Sequence, residues 1–200
     1  MLDRILALFP MTACEISGKI DSIPSPLSSI FTRAGGATLA GGFYRFHTAE
    51  SAARGNDACG KLIKGFNGRF HVFAFDWMGR ELAVDLKGGD DGLVICVDPG
   101  GGEYLKTDCP LSQWHDAVAS EEDPLAYPFY REWREAHPKQ GPLGASEAIG
   151  YKVPLFLGGA DDIQNLEVCD REVYFDLCTQ LAHGARQLPE RVTINSISIL

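Results

Sequence analysis

The chain has 200 residues, of which 45% are hydrophobic and 22% are charged, and a domain of that size buries enough surface to fold without disulfides or a metal. Its net charge of −9 at pH 7 is the opposite of the basic footprint of nucleic-acid-binding proteins, so we expect no direct nucleic-acid contact. The composition also excludes collagen, coiled coils and disordered tails. No run reaches the roughly 18 apolar residues that a membrane span requires.

The acidic excess lies in one stretch of the chain. From Asp76 to Glu132 there are thirteen acidic and four basic residues, whereas the remainder has fourteen of each. Such a bias is most often a solubilising surface. It is also what a surface that meets a basic partner would need.

The six cysteines favour a reducing compartment. None forms a CxxC pair or stands near a histidine at zinc-finger spacing, and several lie in apolar runs. Free buried cysteines in the cytosol explain this pattern best. The apolar stretch Ile5–Phe9 is too short for a secretion signal and is followed by Pro10, so we expect a cytoplasmic protein.

The first third of the chain predicts an irregular segment followed by short helices and a strand. We expect residues 1–24 to form an irregular segment with one helical turn at Leu2–Phe9. A helix then begins at Ser25–Pro26 and buries Leu27, Ile30, Phe31 and Ala34. Gly42–His47 alternates apolar and polar residues and predicts a short strand. The pattern over Ala49–Lys64 predicts a weak helix that contains two glycines.

The middle of the chain predicts an antiparallel meander. Four short apolar or alternating segments are separated by glycine-rich turns, which is the spacing of strands joined by hairpins. The four predicted strands are Arg69–Asp76, Glu81–Leu86, Leu93–Val97 and Glu103–Lys106.

The last part returns to helices. Apolar stripes over 111–118 and 126–133 predict two helices, the second begun by Asp123–Pro124, and Asp170 caps a third that carries Val173, Tyr174, Leu177 and Leu181. Between them we expect a Gly/Pro-rich connection over Lys139–Gly150, an extended Tyr151–Leu157 and a polar loop over Gly158–Asn165. A final strand with a bulge is predicted over Val192–Leu200. The order of elements indicates an α+β fold: an antiparallel meander packed with helices in one compact domain over residues 25–200.

Motifs for catalysis or cofactors are missing from the sequence. It has no nucleophile elbow, phosphate loop, dinucleotide fingerprint or metal-ligand cluster, and its five histidines stand singly. We read His71 and His115 as structural histidines. The sequence therefore predicts no enzyme, no cofactor and no metal.

Several strings of residues resemble a bacterial family, the GAD-like type VI secretion immunity proteins. They are Gly42–Arg45, Phe75–Arg80, Asp98–Gly100, Gly102–Glu103, Gly150–Gly159, Asn165–Glu167, Asp170 and Glu172–Tyr174. The resemblance runs from about Leu27 to the C-terminus. It implies a small protein that binds and silences a toxin effector, in the best-known case a DNase, and it transfers no catalytic residues.

The acidic stretch supplies the candidate partner-binding residues, because a nuclease presents a basic groove that an acidic surface can occupy. They are Asp90, Asp91, Asp98, Glu103, Asp108, Glu121, Glu122 and Asp123. Tyr104 and Trp114 are candidate anchors that also suit the core. Two alternatives stay open. One is an enzyme or ligand-binding domain with His71, Asp76, Asp85 and Cys96 around a pocket; the other is a regulatory interaction module without a toxin partner.

Overall fold

The computed structural model describes residues 2–15, 22–120 and 124–187. Within these ranges the chain forms two antiparallel sheets and six α-helices. The strands are β1 (Met11–Cys14), β2 (Ala37–Leu39), β3 (Tyr44–Phe46), β4 (Phe70–Asp76), β5 (Glu81–Asp85), β6 (Leu93–Asp98), β7 (Glu103–Pro110), β8 (Glu147–Tyr151) and β9 (Leu166–Asp170). The helices are α1 (Asp3–Leu8), α2 (Ser28–Ala34), α3 (Ala49–Leu62), α4 (Leu111–Val118), α5 (Tyr127–Ala136) and α6 (Arg171–Arg186). The prediction of an α+β fold is confirmed.

The larger sheet has seven strands in sequence order, from β1 to β7, each antiparallel to the next. Its last four strands are the predicted meander, which is confirmed. Strands β4 to β6 are buried almost throughout, whereas β7 forms an edge whose residues are mostly half-buried or exposed. The core therefore lies over the middle of the sheet.

Trp77 joins the larger sheet to the rest of the molecule. It is fully buried after β4, and its backbone carbonyl accepts from the N–H of Ile149 in β8 at 2.9 Å. Its indole N–H donates to the carbonyl of Leu125, just before α5, at 3.0 Å. One tryptophan thus ties together the meander, the β8–β9 pair and the approach to α5.

The helices bury the predicted stripes. Leu111, Trp114, His115 and Val118 of α4 are all buried, as are Leu27 and the apolar residues of α2. The N-cap prediction for α6 is confirmed, because the Asp170 carboxylate accepts from the Val173 N–H at 2.9 Å. Val173 itself is 66% exposed. The buried stripe of α6 is therefore displaced by one residue from the predicted stripe.

The described part of the N-terminal segment is more regular than expected. The helical turn predicted at Leu2–Phe9 is present as α1, whereas Met11–Cys14, expected to be irregular, forms β1 and pairs with β2. Leu2, Ile5 and Phe9 are buried at helical spacing, and this apolar stripe holds α1 against the core. Strand β2 has only three residues, too few for alternation to reveal it in the sequence.

Helix α3 is continuous over Ala49–Leu62, although the two glycines in its sequence predicted a weak helix. A capping box at Thr48 and Ser51 begins it, which satisfies two of the open N–H groups at its start. Gly55 faces β4 and β5, since a Cβ there would lie 3.0 Å from Val72 Cγ2 and 3.2 Å from Glu81 Oε2. The glycine therefore lets α3 approach the sheet closely.

Four further expectations in the C-terminal half are corrected or lie outside the described residues. The predicted connection before Gly150 contains most of β8, and the stretch after Tyr151 turns into a short 3₁₀ helix, Leu155–Leu157, instead of staying extended. Helix α5 begins at Tyr127, because Ala126 has a left-handed backbone (φ 56°) that cannot continue a right-handed helix. The predicted strand Val192–Leu200 and residue Asp123 lie outside the described ranges.

Replacing Gly79 with alanine should destabilise the fold. Gly79 has a φ of +73°, and an added Cβ would lie 3.1 Å from Ala148 Cβ and 3.3 Å from Arg171 Cγ. We expect the free energy of unfolding in urea to fall by about 1–3 kcal/mol. The matched control is Gly184→Ala inside α6, where no atom lies within 4 Å of the added Cβ. That change should raise stability by up to about 1 kcal/mol, and a similar gain for Gly79→Ala would contradict the prediction.

Candidate functional site

The predicted acidic residues separate into two groups. Asp90 and Asp91 end the short 3₁₀ helix after β5, and Asp108 lies near them because Leu93 pairs with Pro110. Asp98 and Glu103 pair with each other at the opposite end of the β6–β7 hairpin. The two ends of a six-residue strand are about 17 Å apart. Glu121, Glu122 and Asp123 follow α4 and lie outside the described residues.

The carboxylates differ in their availability to a partner. Asp90, Glu103 and Asp108 are exposed. Asp91 is exposed too, but its carboxylate accepts from the Ser112 N–H at 2.8 Å and the Ser112 hydroxyl at 2.9 Å, at the start of α4. The Asp98 carboxylate accepts from the Gly100 N–H at 2.9 Å within its own turn. Burial raises the pKa of Asp98, with Arg80 partly offsetting the rise.

The two candidate anchors belong to the interior. Trp114 is 1% exposed, and its indole N–H donates to the Tyr44 hydroxyl. Tyr104 is half-buried beside Phe70. The apolar side chains that β6 and β7 do present to solvent are Leu93 and Leu105, at 47% and 45% exposure. Sequence reasoning missed these two, because exposed leucines within a strand look like core positions.

A second polar cluster lies inside the molecule around Glu81 at the start of β5. Glu81 is fully buried. One carboxylate oxygen is 2.7 Å from His47 Nε2, and the other accepts from Arg171 Nη1 at the beginning of α6. Burial by itself raises the pKa of Glu81, but the charges of His47 and Arg171 outweigh it, and the pKa lies below its usual value.

The cluster continues from His47 to the start of α3. His47 Nδ1 is 2.9 Å from Ser51 Oγ, which also accepts from the Thr48 N–H at 2.9 Å. The order serine, histidine, carboxylate resembles that of hydrolases. Here, however, the serine oxygen is part of the capping box, and His47 and Glu81 are completely buried. The arrangement therefore fixes α3 to the sheet, with the serine oxygen engaged in the capping box.

Arg45 is the unusual member of this interior. It is 1% exposed, in the middle of β3. Its guanidinium donates to the backbone carbonyls of Gly144, Glu147 and Asp76, and no described carboxylate forms an ion pair with it. Its carbon Cζ lies 4.4 Å from the centre of the Phe75 ring, and that of Arg171 lies 4.3 Å from the same ring.

Two cavities adjoin these arginines. The smaller, of about 170 Å³, is lined by Arg45, Arg171, Ser51 and Phe75. The larger, of about 440 Å³, lies between α3 and α6. Arg54, Arg171 and Glu172 line both, and Arg54 Nε lies 3.0 Å from the Glu172 carboxylate. The two cavities therefore lie on either side of one half-exposed ion pair.

The four residues of the alternative pocket do not come together at these cavities. His71 lies 3.2 Å from the Asn56 amide, Asp85 pairs with Arg69, and Asp76 holds Arg80. Cys96 is 5% exposed within β6. No group of three or more potential metal ligands occurs among the described residues. No helix within the described ranges is long and apolar enough to cross a membrane.

Comparison with known proteins gives a match to a family model and matches to solved structures. Residues 115–182, from α4 through α6, match the family model described as T6SS immunity protein Tdi1, C-terminal. No curated protein matches the chain significantly. Among solved structures, the crystal structure of Atu4351 from Agrobacterium tumefaciens superposes with a TM-score of 0.65 and 15% identity, over 90% of this chain and 89% of that one. The structural likeness concerns the fold alone, whereas the family match supports a relationship to type VI secretion immunity proteins.

Proposed function

We propose that this protein is an immunity protein that binds a cognate toxin effector in the cytoplasm and neutralises it stoichiometrically. The observation that carries the proposal is the match of residues 115–182 to the model of a type VI secretion immunity protein. We also propose, from the sequence resemblance, that it is of the GAD-like type and that its toxin is a DNase.

The burial and hydrogen bonding of the reactive side chains favour a binding protein over an enzyme. Ser51, His47 and Glu81 form a connected line, but they are buried and engaged in holding α3 and α6. Burial raises the pKa of the Cys96 thiol to about 12 and that of Cys178 to about 12, so neither is a ready nucleophile. These observations support a protein that acts through its surface.

We place the toxin-binding surface on the β6–β7 hairpin and the start of α4. Asp90, Asp108 and the half-exposed Leu93 lie at one end of the hairpin, and Glu103 and the half-exposed Leu105 lie towards the other. Asp91, Asp98 and the sequence-predicted acids Glu121, Glu122 and Asp123, which lie outside the described residues, complete the proposed acidic set. Exposed acidic side chains are what a basic toxin surface would fit, and each exposed leucine adds apolar contact area beside them.

The first experiment is affinity capture from the lysate of the protein's own organism at low salt. We expect one stoichiometric partner that kills cells when it is expressed alone and is harmless when it is co-expressed with this chain. A stoichiometric partner that is not toxic would favour the regulatory-module alternative. Absence of any partner, in a lysate where neighbouring gene products are detectable, would contradict the proposed function.

The charge-reversal variant Asp90→Lys/Asp108→Lys tests the surface. We expect the Kd for the toxin to rise about tenfold or more at low salt, chiefly through a slower association rate, because long-range attraction mainly accelerates encounter. The matched control is Glu50→Lys/Glu135→Lys, which makes the same change in net charge at residues exposed on α3 and α5. An equal loss of affinity in both variants would remove the hairpin from the interface and leave only a net-charge effect.

A further inference from the structure

Two buried arginines have hydrogen-bonding capacity that the described residues do not use. Arg45 and Arg171 are 1% and 5% exposed. The Nε–H of each is buried and has no acceptor among the described residues. Buried polar groups in folded proteins are normally satisfied, and charged ones most of all. Each of these donors therefore calls for an explanation.

The local charges do not balance. Arg171 is paired with Glu81, which also contacts His47, and its Nη2 lies 3.5 Å from the Glu172 carboxylate. Arg45 contacts only neutral backbone carbonyls. Burial, and then repulsion by Arg171, lowers the pKa of Arg45 to about 10. The interior of this region thus holds a positive charge that lacks an anion.

The space for an anion lies next to both side chains. The cavity of about 170 Å³ that they line also contains Ser51 and Arg54. Its acidic lining residues are Glu15 and Glu172, and Glu172 is already held by Arg54. A water molecule occupies about 30 Å³ of liquid volume, so the cavity can take a group several times that size.

We propose that this cavity is a binding site for a small molecule that carries an oxyanion, either a carboxylate or a phosphate group. Arg45 supplies the uncompensated charge, and Arg171 supplies a second guanidinium stacked on the same ring. Guanidinium forks match the geometry of both kinds of oxyanion. The site is separate from the proposed toxin surface, because β3 and β7 are four places apart in the sheet, about 19 Å.

Thermal unfolding of the full chain in matched salts tests the proposal. We would compare sodium phosphate, sodium acetate and sodium chloride at one pH and one ionic strength. A specific oxyanion at ten times its Kd should raise Tm by about 3–6 °C above the chloride value. A rise in phosphate alone assigns a phosphate ligand, and a rise in acetate assigns a carboxylate. Equal Tm values in the three salts would overturn the proposal.

Four variants locate the effect. Arg45→Met should abolish the rise, and Arg131→Met, at an arginine whose side chain is 65% exposed on α5, should leave it unchanged. Because Arg45 also holds the segment near Gly144, a second pair avoids the core. Ala145 is exposed and lines the cavity. We expect Ala145→Glu to supply its own carboxylate and lose the salt effect, whereas Ala145→Gln retains it.

The variants also define which results would overturn the proposal. A folded Arg45→Met protein that keeps the full rise would overturn the proposal. So would a full rise in both Ala145 variants. If Arg45→Met does not fold, the contrast between Ala145→Glu and Ala145→Gln decides the matter. None of these measurements depends on the toxin, so the outcome is independent of the proposed immunity function.

Discussion

Replacing Glu81 with glutamine should lower the free energy of unfolding by about 3–5 kcal/mol, the usual effect of removing one partner from a buried ion pair. Glu81 is the only carboxylate that contacts both His47 and Arg171 among the described residues. Without its charge, the guanidinium of Arg171 and that of Arg45 would remain buried beside the same phenylalanine. Urea unfolding followed by circular dichroism measures the change.

The control for this prediction is Glu50→Gln. Glu50 pairs with Arg54 on α3 but is 84% exposed, and exposed pairs contribute about 0–1 kcal/mol. We expect the two variants to differ by at least about 2 kcal/mol. A Glu81→Gln protein as stable as Glu50→Gln would show that the interior cluster is dispensable for the fold.

Stability should also fall as the pH drops below 6.5, because the buried His115 and the half-buried His71 are neutral in the folded protein. Burial lowers the pKa of His115 to about 3 and that of His71 to about 4. An unfolded histidine takes up its proton near pH 6.5, so between that pH and the folded pKa the unfolded chain binds more protons. Each histidine should therefore remove up to about 1.4 kcal/mol of stability per pH unit of acidification.

The contacts of His115 explain why its folded form resists protonation. The Trp114 indole donates to the Tyr44 oxygen, and the Tyr44 hydroxyl lies 3.2 Å from His115 Nε2. The imidazole also stacks on Phe46. Protonation would place a hydrogen on both ring nitrogens, and Nδ1 is a buried atom without a partner among the described residues.

The variant His115→Phe tests this pH dependence. We expect the slope of unfolding free energy against pH between 5 and 6 to become shallower by up to about 1.4 kcal/mol per pH unit. The slope is the readout because the absolute stability also changes when the bond to Tyr44 is lost. Measurements stay above pH 5 so that Glu81, which is protonated at lower pH, does not contribute. An unchanged slope would contradict the assignment of His115.

The sequence predicts much of the fold because its strongest patterns are local. The glycine turns and alternating residues between Arg69 and Lys106 predict the meander from local sequence alone. The stripe over 111–118 likewise specifies α4. Strand β8 was not predicted, because it is stabilised by pairing with β9 about twenty residues further along the chain.

The interior site could not be predicted for a related reason. In the alternating stretch Gly42–His47, the arginine at 45 falls on the face expected to be polar and exposed. The structure covers that face with the carbonyls of Gly144 and Glu147 and with Arg171. These residues lie about a hundred positions or more away in sequence, so no local pattern signals that Arg45 is buried.

The sequential order of the seven strands has a consequence for biosynthesis. Each strand from β2 to β7 pairs with the strand that precedes it in the chain. During translation each new strand can therefore pair with an edge strand that has already been synthesised. Nearby pairings of this kind close short loops and form quickly. The bonds from Arg45 to Gly144 and Glu147 span 99 and 102 residues. We expect a nascent meander to precede them, and the arginine to stay hydrated until the second sheet arrives to cover it.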